Sequence, residues 1–382
     1  MRKPTFYEFF AGGGMARAGL GEGWECLFAN DFDPKKAASY RANWGAAEMS
    51  EGDIHDIDIA KLPGHADLAW ASFPCQDLSL AGNGKGLNGE RSGAFWGFWD
   101  VIQKLLQARR APRILVLENV VGALTSNKGK DFTELCRALK LLGYQFGAMV
   151  IDAALFVPQS RPRLFIVAVL NGTSSLEGLS GETPQQEWTP AALNRAWQAL
   201  PPDLKNGWIW WRLTVPKGHA ARLIDLIEDT PLSVDWHTPN DTARLIAMMS
   251  DTNMAKLDAA KRLGNRTVGT IYKRTREEEG ERAQRAELRF DDIAGCLRTP
   301  GGGSSRQIVI EVVGSSVRTR LLSSREAARL MGLEDSYVLP EKYNEAYHLT
   351  GDGLVVPVVK HLADHLLGEM ITPDRAVLIA AE

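Results

Sequence analysis

The stretch from Ala71 to Gly82, ASFPCQDLSLAG, places a cysteine between a proline and a glutamine at the end of an apolar run. A cysteine used only for packing would more naturally lie inside that run, beside Ala69 and Trp70. A side chain at the carboxyl end of a strand in an α/β sheet lies instead where such sheets bind their ligands. Cys75 is therefore a candidate nucleophile, which would react as a thiolate and needs nearby cations or a helix N-terminus to lower its pKa.

Two further groups of polar residues lie where strands are expected to end. The stretch LENV supplies Glu118 and Asn119, and QSRPR supplies Arg161 and Arg163 with one residue between them. Neighbouring parallel strands would bring these ends close to Cys75, where the arginines could favour the thiolate. No histidine lies at a strand end beside these motifs, so a Cys-His-Asn arrangement of the protease type is disfavoured.

A glycine-rich stretch, FFAGGGMARAGLGEG, follows the first expected strand and opens a helix. Glycines let the backbone turn tightly against a ligand, and a helix N-terminus favours an anion. The pattern is not GxGxxG, so a nucleotide-like cofactor and a plain tight turn are both open. Asp31 could accept hydrogen bonds from ribose hydroxyls, Phe32 could stack on adenine, and Asp53 could accept a hydrogen bond from the adenine amino group. Each also has an explanation as a cap or turn, but the ordered set favours an adenosyl cofactor lying across the sheet.

The elements that must position these residues alternate between strand and helix over roughly the first 170 residues. Strands are predicted at TFYEFF, CLFAND, DLAWASF, RILVLENV and RLFIVAV, with helices between them. This alternation predicts an α/β fold with a mostly parallel sheet and helices on both faces. Beyond Leu170 a Gly/Ser/Thr-rich linker leads into a stretch of irregular periodicity with a β-rich piece, QIVIEVV, which favours a smaller second domain.

Two helices are predicted near the end of the chain. SSREAARLMGL has the composition of a capped helix, with Ser323 or Ser324 as the N-cap and Gly332 at the C-terminal end. VPVVKHLADHLLGEM then predicts a closing helix.

The composition excludes several classes of protein. The 382 residues suggest two domains, or one large domain with an insertion, and 45% hydrophobic with 24% charged residues is ordinary for a globular protein. No apolar stretch approaches the roughly 20 residues that span a bilayer, and the N-terminus lacks a signal peptide, so we expect a cytoplasmic protein without membrane contact. The four cysteines are scattered without a CxxC pair, so neither a disulfide framework nor a metal site is expected.

The charge is unevenly distributed along the chain. The net charge is −3, yet residues 256–320 carry 14 Lys and Arg against 9 Asp and Glu. A basic segment on an acidic body suggests a surface that binds a polyanion. The alternative is a solvated charged helix around REEEGERAQR. Two further stretches, GWIWWRL and VGTIYKRTR, fit either nucleic-acid recognition or the core of the smaller domain.

Taken in order, EFFAGGG, FPCQDLS, LENV, PQSRPR and SSREAARLMGL resemble the DNA (cytosine-5) methyltransferase family. The resemblance covers roughly the first 170 and the last 65 residues. It implies a Rossmann-like sheet of the S-adenosylmethionine-dependent type and a smaller target recognition domain. We accordingly expect a catalytic, cofactor-binding domain over residues 1–175, a target recognition domain over 176–345, and a C-terminal segment, 346–382, that returns to the catalytic domain.

The resemblance also implies a mechanism. Cys75 would add to carbon 6 of cytosine, which makes carbon 5 enamine-like and able to accept the methyl group of S-adenosylmethionine. Glu118 would hold N3 and the exocyclic amine, while Arg161 and Arg163 would hold the base and the thiolate side of the site. The cytosine must leave the duplex for this chemistry, because its target atoms are inaccessible within stacked base pairs.

Binding residues follow by the same resemblance. The cofactor pocket would be lined by Phe10, Ala11, Gly12, Gly14, Asp31, Phe32, Asp53, Ile54, Pro74 and Asp352. The DNA would be contacted by Gln76, Ser79, Asn119, Val120, Leu297, Arg298, Gly302 and Arg306. The family usually has Gly-Asn-x-Val where this chain has GDGLV, so Asp352 cannot donate as an amide would, and Glu8 replaces a usual Asp. The Gly-rich loop after Cys75 would close over the flipped base, the alternative being a flexible surface loop.

Three rivals compete with a sequence-specific enzyme acting on double-stranded DNA. A tRNA cytosine-5 methyltransferase would carry the same catalytic motifs, although the long middle segment favours DNA because base-pair readout needs surface. A catalytically inactive DNA-binding paralogue is disfavoured by the intact Cys75, Glu118 and Arg163. A dinucleotide-dependent oxidoreductase is disfavoured by the broken glycine fingerprint. We expect a monomer, and a cognate restriction endonuclease is a candidate partner.

Overall fold

Two compact units make up the chain in the structure, which is a computed structural model that describes residues 2–74, 93–172, 176–218, 221–278, 281–298 and 306–371. Unit 1 contains Met1–Ile151, Pro162–Val215 and Val358–Glu382. Unit 2 contains Asp152–Arg161 and Pro216–Pro357. Unit 2 therefore consists of two separate stretches of the chain.

A mixed seven-stranded sheet is the centre of the described part of unit 1. Its strands are β1 (Thr5–Phe9), β2 (Glu25–Asp31), β3 (Met49–Glu51), β4 (Leu68–Ala71), β5 (Ile114–Val120), β6 (Tyr144–Asp152) and β7 (Pro162–Leu170). They lie in the order β3-β2-β1-β4-β5-β7-β6. The pairs from β3 to β5 are parallel, whereas β5 and β7 are antiparallel. The strand order reverses direction between β1 and β4, and such a switch point is where open α/β sheets bind ligands.

Four helices follow strands of unit 1 as the sequence predicts: α1 (Met15–Leu20), α2 (Pro34–Trp44), α3 (Ala94–Gln107) and α4 (Lys130–Leu141). Two further helices of this unit, α5 (Ala191–Ala199) and α6 (Pro202–Lys205), were not predicted. Buried residues of α3 and α4 form one core cluster with Ala69 and Leu115 of the sheet. Their neighbours Trp70 and Val116, which point to the opposite face, are also fully buried. The sheet is therefore covered on both faces, and the predicted α/β fold is confirmed.

The edge of the sheet at β6 is covered by residues that follow β7. Two short strands, β8 (Ser180–Gly181) and β9 (Trp210–Trp211), pair in this segment. The backbone of Phe146 in β6 donates to the carbonyl of Gly207 at 3.0 Å and accepts from the amide of Ile209 at 2.7 Å. An exposed strand edge would be free to pair with other chains, so this segment protects it.

Unit 2 contains a four-stranded antiparallel sheet in the order β11-β10-β12-β13. Its strands are β10 (Thr267–Glu278), β11 (Glu281–Arg289), β12 (Ile308–Val313) and β13 (Ser316–Leu321). Its helices are α7 (Leu223–Leu226), α8 (Pro239–Ala247), α9 (Asp251–Leu263), α10 (Ser324–Leu330) and α11 (Tyr343–Asp352). Buried residues of α8 and α9 form a second core cluster with β10, β11 and β12.

The last helical segment of the described chain is α12 (Val356–Leu362), a π-helical turn (Ala363–Leu367) and α13 (Gly368–Ile371). It confirms the predicted closing helix. None of the helices in the described part of the chain is long and apolar enough to cross a membrane.

The capped helix predicted from SSREAARLMGL is also confirmed, with Ser323 as its N-cap. The Ser323 hydroxyl accepts from the amide of Glu326 at 3.0 Å, and the Glu326 carboxylate accepts from the amide of Ser323 at 2.7 Å. The same carboxylate receives both ends of the buried Arg320 guanidinium, at 2.6 and 2.7 Å. This arrangement ties the start of α10 to β13.

Several sequence predictions differ from the structure. The charged stretch REEEGERAQR belongs to the antiparallel pair of β10 and β11, so the alternative of a charged helix is wrong. The β-branched residues from Thr267 to Ile271 pair with β12 and extend the strand into the charged stretch, which overrides its local helix propensity. The strands β3 and β6 were not predicted. The units divide after Val215 and Pro357, whereas the predicted boundaries follow residues 175 and 345.

The close approach of β6 to the covering segment requires a glycine. A Cβ atom on Gly147 would lie 1.9 Å from the carbonyl oxygen of Ile209. We expect Gly147→Ala to lower the free energy of unfolding by about 1–3 kcal/mol, the usual cost of overpacking. Gly207→Ala is the control, because the nearest atom to its Cβ is 4.0 Å away. Thermal unfolding of both variants measures the difference, and equal melting temperatures would contradict this role for Gly147.

Candidate active site

The sequence-predicted residues of unit 1 lie at one edge of its sheet, after successive neighbouring strands. Asp53 follows β3, Asp31 ends β2, and the glycine-rich loop follows β1. Pro74 follows β4, and Glu118 lies near the end of β5. Because these strands are parallel and adjacent, their carboxyl ends form one continuous edge. The switch point between β1 and β4 lies between the predicted cofactor residues that follow β1, β2 and β3 and the predicted catalytic residues, with Pro74 on the catalytic side.

The loop after β1 has an unusual backbone that opens space at this edge. Phe10 and Gly12 both have positive φ angles, 58° and 57°, and no atom of the described residues lies within 4 Å of a Cβ placed on Gly12. Gly14, with φ 79°, is packed so closely that a Cβ would lie 2.3 Å from the indole nitrogen of Trp44. That nitrogen donates to the carbonyl of Gly13 at 3.0 Å. The loop is thus fixed on one side and open on the other.

Asp31 is held by the backbone on both of its carboxylate oxygens. It accepts hydrogen bonds from the amides of Gly12 at 2.8 Å and Asp33 at 2.9 Å. Burial raises the pKa of this carboxyl, while the two amide donors oppose that rise. Each oxygen keeps a second lone pair for a ligand hydroxyl. The neighbouring Phe32 is 75% exposed, which is unusual for a large aromatic ring and leaves a free face for stacking.

Asp53 and Ile54 begin a short 3-10 turn after β3. The Asp53 carboxylate accepts from the amide of His55 at 2.9 Å, so the capping role considered from the sequence is present. Ile54 is buried against α3, where a Cβ on Gly97 would lie 2.5 Å from it. Both residues are therefore fixed in place at the same edge as Asp31.

Glu8 lies fully buried in β1, beneath the glycine-rich loop. The backbone amides of Ala16 and Arg17, in the first turn of α1, favour the ionised form of its carboxyl group, while its Oε2 atom has no hydrogen-bond partner among the described residues. The sequence predicts that this helix end favours a ligand anion, but these amides act on the protein's own Glu8. Burial raises the pKa of Glu8 to about 8, despite the opposing effects of the amides and of Arg17. No pattern in the sequence predicts this role for Glu8.

The end of β4 is tied to the end of β5 by Asn119. Its side-chain amide donates to the carbonyl of Phe73 at 3.0 Å, and its oxygen accepts from the amide of Val120 at 2.8 Å. Because Phe73 precedes Cys75 by two residues, Asn119 fixes the strand end that leads to the cysteine. Asn119 is itself buried. Three predicted residues, Cys75, Gln76 and Ser79, lie outside the described residues, and Pro74 is exposed at their boundary.

Glu118 and Arg163 meet directly across two paired strands. The Nε atom of Arg163 lies 3.2 Å from the Glu118 Oε1 atom, and both side chains are largely buried. Because β7 is antiparallel to β5, the start of β7 lies beside the end of β5, with Arg163 opposite Val120. The sequence predicts that parallel strand ends bring these residues together. The antiparallel strand delivers the arginine instead.

Arg161 belongs to unit 2, where its guanidinium is bound by backbone carbonyls. It donates to the carbonyls of Leu297, Gly351 and Gly353, each at 2.8 Å, and only 2% of the residue is exposed. These partners connect three distant segments of the sequence. In the described structure Arg161 therefore fixes the backbone of unit 2, which was not its predicted role.

Gln159, in the same motif, acts beside Arg161 and was missed as a site residue. Its amide donates to the carbonyl of Leu330 at 2.8 Å, and its oxygen accepts from the amide of Leu297 at 3.1 Å. Asp152 accepts from the amide of Arg161 at 2.7 Å. Gln159 could have been found from the sequence, because it belongs to the motif PQSRPR. The role of Asp152 depends on a turn that local sequence does not specify.

The remaining predicted residues lie in unit 2 with different exposures. Leu297 is 1% exposed, so its side chain packs inside the unit, whereas Arg298 is exposed. Arg306 lies over the ring of Tyr343, 5.6 Å from its centroid. Asp352 is exposed at the end of α11, and Gly302 lies outside the described residues. Among the described residues, no group of three or more His, Cys, Asp or Glu side chains could hold a metal ion.

Comparison with known proteins identifies a family whose sequences match this chain. The family model for C-5 cytosine-specific DNA methylases matches residues 4–368. Type II methyltransferase M.NlaX of Neisseria lactamica is 26% identical over 375 residues, which cover 97% of this chain and 98% of that protein. Type II methyltransferase M.HhaI of Haemophilus parahaemolyticus is 27% identical over 364 residues, or 94% and 92% of the two chains. The solved structure of Entamoeba histolytica methyltransferase EhMeth shares the fold, with a TM-score of 0.61 at 13% identity over 97% of this chain and 99% of that chain.

The buried Glu8 predicts a pH dependence of stability. Its pKa of about 8 in the folded protein exceeds the ordinary 4.5, so between these pH values the unfolded chain loses a proton that the folded protein keeps. The contribution of neutral Glu8 to stability is complete below the lower value and is lost as the pH rises through about 8. Glu8→Gln carries no such proton. We therefore expect the melting temperature of Glu8→Gln, relative to that of the wild type, to increase as the pH rises from about 5 to about 8.

The exposed Glu22 in the same part of the chain provides the control variant, Glu22→Gln. Melting temperatures measured by calorimetry at both pH values give the comparison. A difference between Glu8→Gln and the wild type that stays constant with pH would show that Glu8 is not a buried neutral acid.

Proposed function

This chain belongs to the family of C-5 cytosine-specific DNA methylases, and from that premise we propose which of its residues carry out the reaction. The protein is a DNA cytosine-5 methyltransferase, which methylates cytosine at carbon 5 in DNA. The relatives that span nearly the whole chain are named Type II methyltransferases, which supports DNA over tRNA as the substrate. The observation that carries the residue assignment is the single sheet edge on which the predicted cofactor and catalytic residues follow one another.

S-adenosylmethionine is the proposed cofactor, and when bound it supplies the methyl group. The residues present fit its adenosyl part. Asp31 offers carboxylate lone pairs to hydroxyl groups, the exposed Phe32 offers a ring face, and Asp53 offers an acceptor at the next strand end. The open side of the loop at Gly12 leaves room for a ligand to approach the backbone closely. Asp352 is the remaining proposed contact, where a carboxylate stands in place of the family's amide.

Cys75 is the proposed nucleophile. Its thiolate forms a bond to carbon 6 of a cytosine that has left the duplex, and the electron pair released from the ring makes carbon 5 nucleophilic. After carbon 5 has gained the methyl group, a base removes its proton. The electron pair of that C–H bond restores the ring double bond, and the bond between sulfur and carbon 6 breaks to return the thiolate. Asn119 fixes the strand end that carries this cysteine.

Glu118 and Arg163 are proposed to hold the cytosine ring during this addition. A carboxyl group can hydrogen-bond the ring at N3 and the exocyclic amine, which stabilises charge that develops on the ring. Arg163 lies 3.2 Å from Glu118, so its guanidinium orients that carboxyl and adds positive charge beside the base. Arg161 has a different proposed role. Through its hydrogen bond to the carbonyl of Leu297, it positions the segment that precedes residues 299–305.

Unit 2 is the proposed target recognition domain. Arg298, Gly302 and Arg306 flank or belong to the glycine-rich stretch that resembles the family's base-recognition loop. The side chain of Leu297 is buried. Leu297 is therefore proposed to position this glycine-rich stretch through its backbone carbonyl, which accepts a hydrogen bond from Arg161. Gln76, Ser79 and Val120 are proposed to contact DNA at the vacated position, with the loop after Cys75 closing over the base.

The relatives are named Type II methyltransferases, which supports a restriction endonuclease as the functional partner. We propose a monomer that acts on DNA in the cytoplasm. Each proposed catalytic residue comes from this one chain, so the reaction as proposed needs no second subunit.

The proposed nucleophile is tested by Cys75→Ser. We expect methyl transfer from labelled S-adenosylmethionine to mixed-sequence duplex DNA to fall at least about 1,000-fold, while cofactor binding is unchanged, because a serine hydroxyl is a far weaker nucleophile than a thiolate. The wild type should form a covalent adduct with DNA that contains 5-fluorocytosine, since fluorine cannot leave as a proton does. Cys136→Ser, which changes a buried cysteine of α4, is the control. Substantial transfer by Cys75→Ser would reject the assignment.

The two arginines of one motif should respond differently to the same change. Arg163→Lys should lower kcat about 100-fold or more with little change in melting temperature, because it weakens charge stabilisation beside the base. Arg161→Lys should lower the melting temperature and raise the KM for DNA more than it lowers kcat, because a compact ammonium cannot reproduce the rigid fork by which the guanidinium reaches carbonyls in two separate segments. Steady-state kinetics and thermal unfolding separate the two, and the opposite pattern would reverse the assigned roles.

A further inference from the structure

The stretch VGTIYKRTR in β10, which by sequence fits either nucleic-acid recognition or the core of the smaller domain, divides between two parts of unit 2. Its residue Ile271 is fully buried in the second core cluster and pairs with Ile308 at the start of β12. Tyr272 comes next, beyond the last pair that β10 forms with β12. The side chain of Tyr272 contacts Gly295 and Cys296, in the segment that leads to the proposed recognition residues. The core contribution therefore ends at Ile271.

Tyr272 acts on one peptide group of that segment. Its hydroxyl donates a hydrogen bond to the carbonyl of Cys296. The same peptide group contains the amide of Leu297, which donates to the side-chain oxygen of Gln159 at 3.1 Å. Because a peptide group is planar, partners on both its oxygen and its nitrogen restrain the direction in which the chain leaves it. Tyr272 and Gln159 therefore hold a single peptide from its two sides.

Gly295 allows the Tyr272 ring to reach this peptide. A Cβ atom on residue 295 would lie 1.9 Å from the Cε2 atom of the ring, so a larger residue would displace the ring. Burial raises the pKa of Tyr272 above its usual value, and the hydroxyl therefore keeps the proton that it donates. The sequence Gly-Cys-Leu thus supplies, in order, the space for the ring, the acceptor for its hydroxyl and the amide that Gln159 binds.

Residues 298–307, which we call the recognition stretch, are flanked on both sides by contacts to neighbouring residues of β10. The chain enters the stretch after the peptide that Tyr272 holds, and it leaves the stretch at Ile308, which pairs with Ile271. Side chains that read bases must be held within a fraction of an ångström of their working positions. Release of the Cys296 carbonyl would change the direction in which the recognition stretch begins.

We propose that Tyr272 is a positioning residue for target recognition, which acts by orienting the peptide between Cys296 and Leu297. Base readout depends on donors and acceptors that meet the edge of the correct base pair, so a displaced recognition stretch discriminates less well between bases. The hydroxyl of Tyr272 therefore matters for the choice of site more than for the chemistry at the cytosine. This inference rests on the proposed function, in which the stretch with Arg298 and Arg306 reads the DNA.

The test is Tyr272→Phe in the full chain, which removes the hydroxyl and keeps the ring. The wild type first methylates mixed-sequence duplex DNA, and bisulfite sequencing identifies its preferred site. Wild type and variant then each methylate an equal mixture of two duplexes, one with that site and one that differs from it at a single base pair. Bisulfite sequencing of the products gives the ratio of the two rates. We expect the variant to lower this ratio about 10-fold, which lies within the range that one mismatched base pair costs.

This ratio does not depend on the folded fraction, because both duplexes compete for the same active molecules. The matched control is Tyr144→Phe in β6 of unit 1, where the lost hydroxyl donates to the carbonyl of Pro112 at 2.5 Å. Both variants lose one hydrogen bond from a tyrosine to a backbone carbonyl, so both should have a lowered melting temperature. Only Tyr272→Phe should lower the ratio.

Gly295→Ala provides a second variant, which should lower the ratio as well because the added methyl group displaces the same ring. An unchanged ratio in Tyr272→Phe, or an equal fall in Tyr144→Phe, would overturn the proposal. Failure of the proposed function looks different, because the wild type itself would then methylate no duplex DNA or would show no preferred site.

Discussion

The antiparallel pairing of β5 with β7 is the constraint on which the rest of the candidate site depends. A sheet that remained parallel here would place the start of β7 at the far edge, away from the end of β5. The reversed strand instead brings Arg163 to 3.2 Å from Glu118. The pairing also fixes the register, with Arg163 opposite Val120. A slip of one residue would turn the Arg163 side chain to the other face of the sheet.

The cofactor side of the edge is organised by acids that bind backbone amides. Asp31 accepts a hydrogen bond from the amide of Gly12 and so fixes the loop after β1, while the amides of the first turn of α1 act on the buried Glu8. The hydrogen bonds that Asp31 accepts offset part of the cost of its burial. The offset is incomplete for Glu8, whose pKa is raised to about 8, and this is the cost of placing an acid inside a fully buried strand. The glycine-rich loop is therefore held by charge and hydrogen bonding as well as by its own backbone.

The sequence was sufficient for the elements with a strong local signal. Five strands with largely apolar runs were predicted, and the pair Ser323 and Ser324 marked the start of α10. The strand β6 was missed because Gln145 and Gly147 interrupt its apolar run, and its place in the sheet depends on β7 and on residues 207–209. The hairpin of β10 and β11 was considered as a helix because the charged residues gave a local helix signal. The pairing of β10 with the distant β12 determines that this segment forms a strand and not a helix.

The candidate site shows the same division between what local sequence reveals and what only the fold reveals. Motifs identify residue types, so Glu118, Arg161 and Arg163 were all found, but spacing alone did not separate their roles. Arg163 meets a carboxylate, whereas Arg161 meets three carbonyls. A buried guanidinium needs acceptors for its donors, and three backbone carbonyls, at Leu297 in one segment and at Gly351 and Gly353 in another, provide them only in the folded unit. An arginine bound in this way is not free to approach a base. The motif thus combines one residue that can face the substrate with another that holds the backbone in place, and their two positions in the fold, rather than their two positions in the sequence, determine which is which.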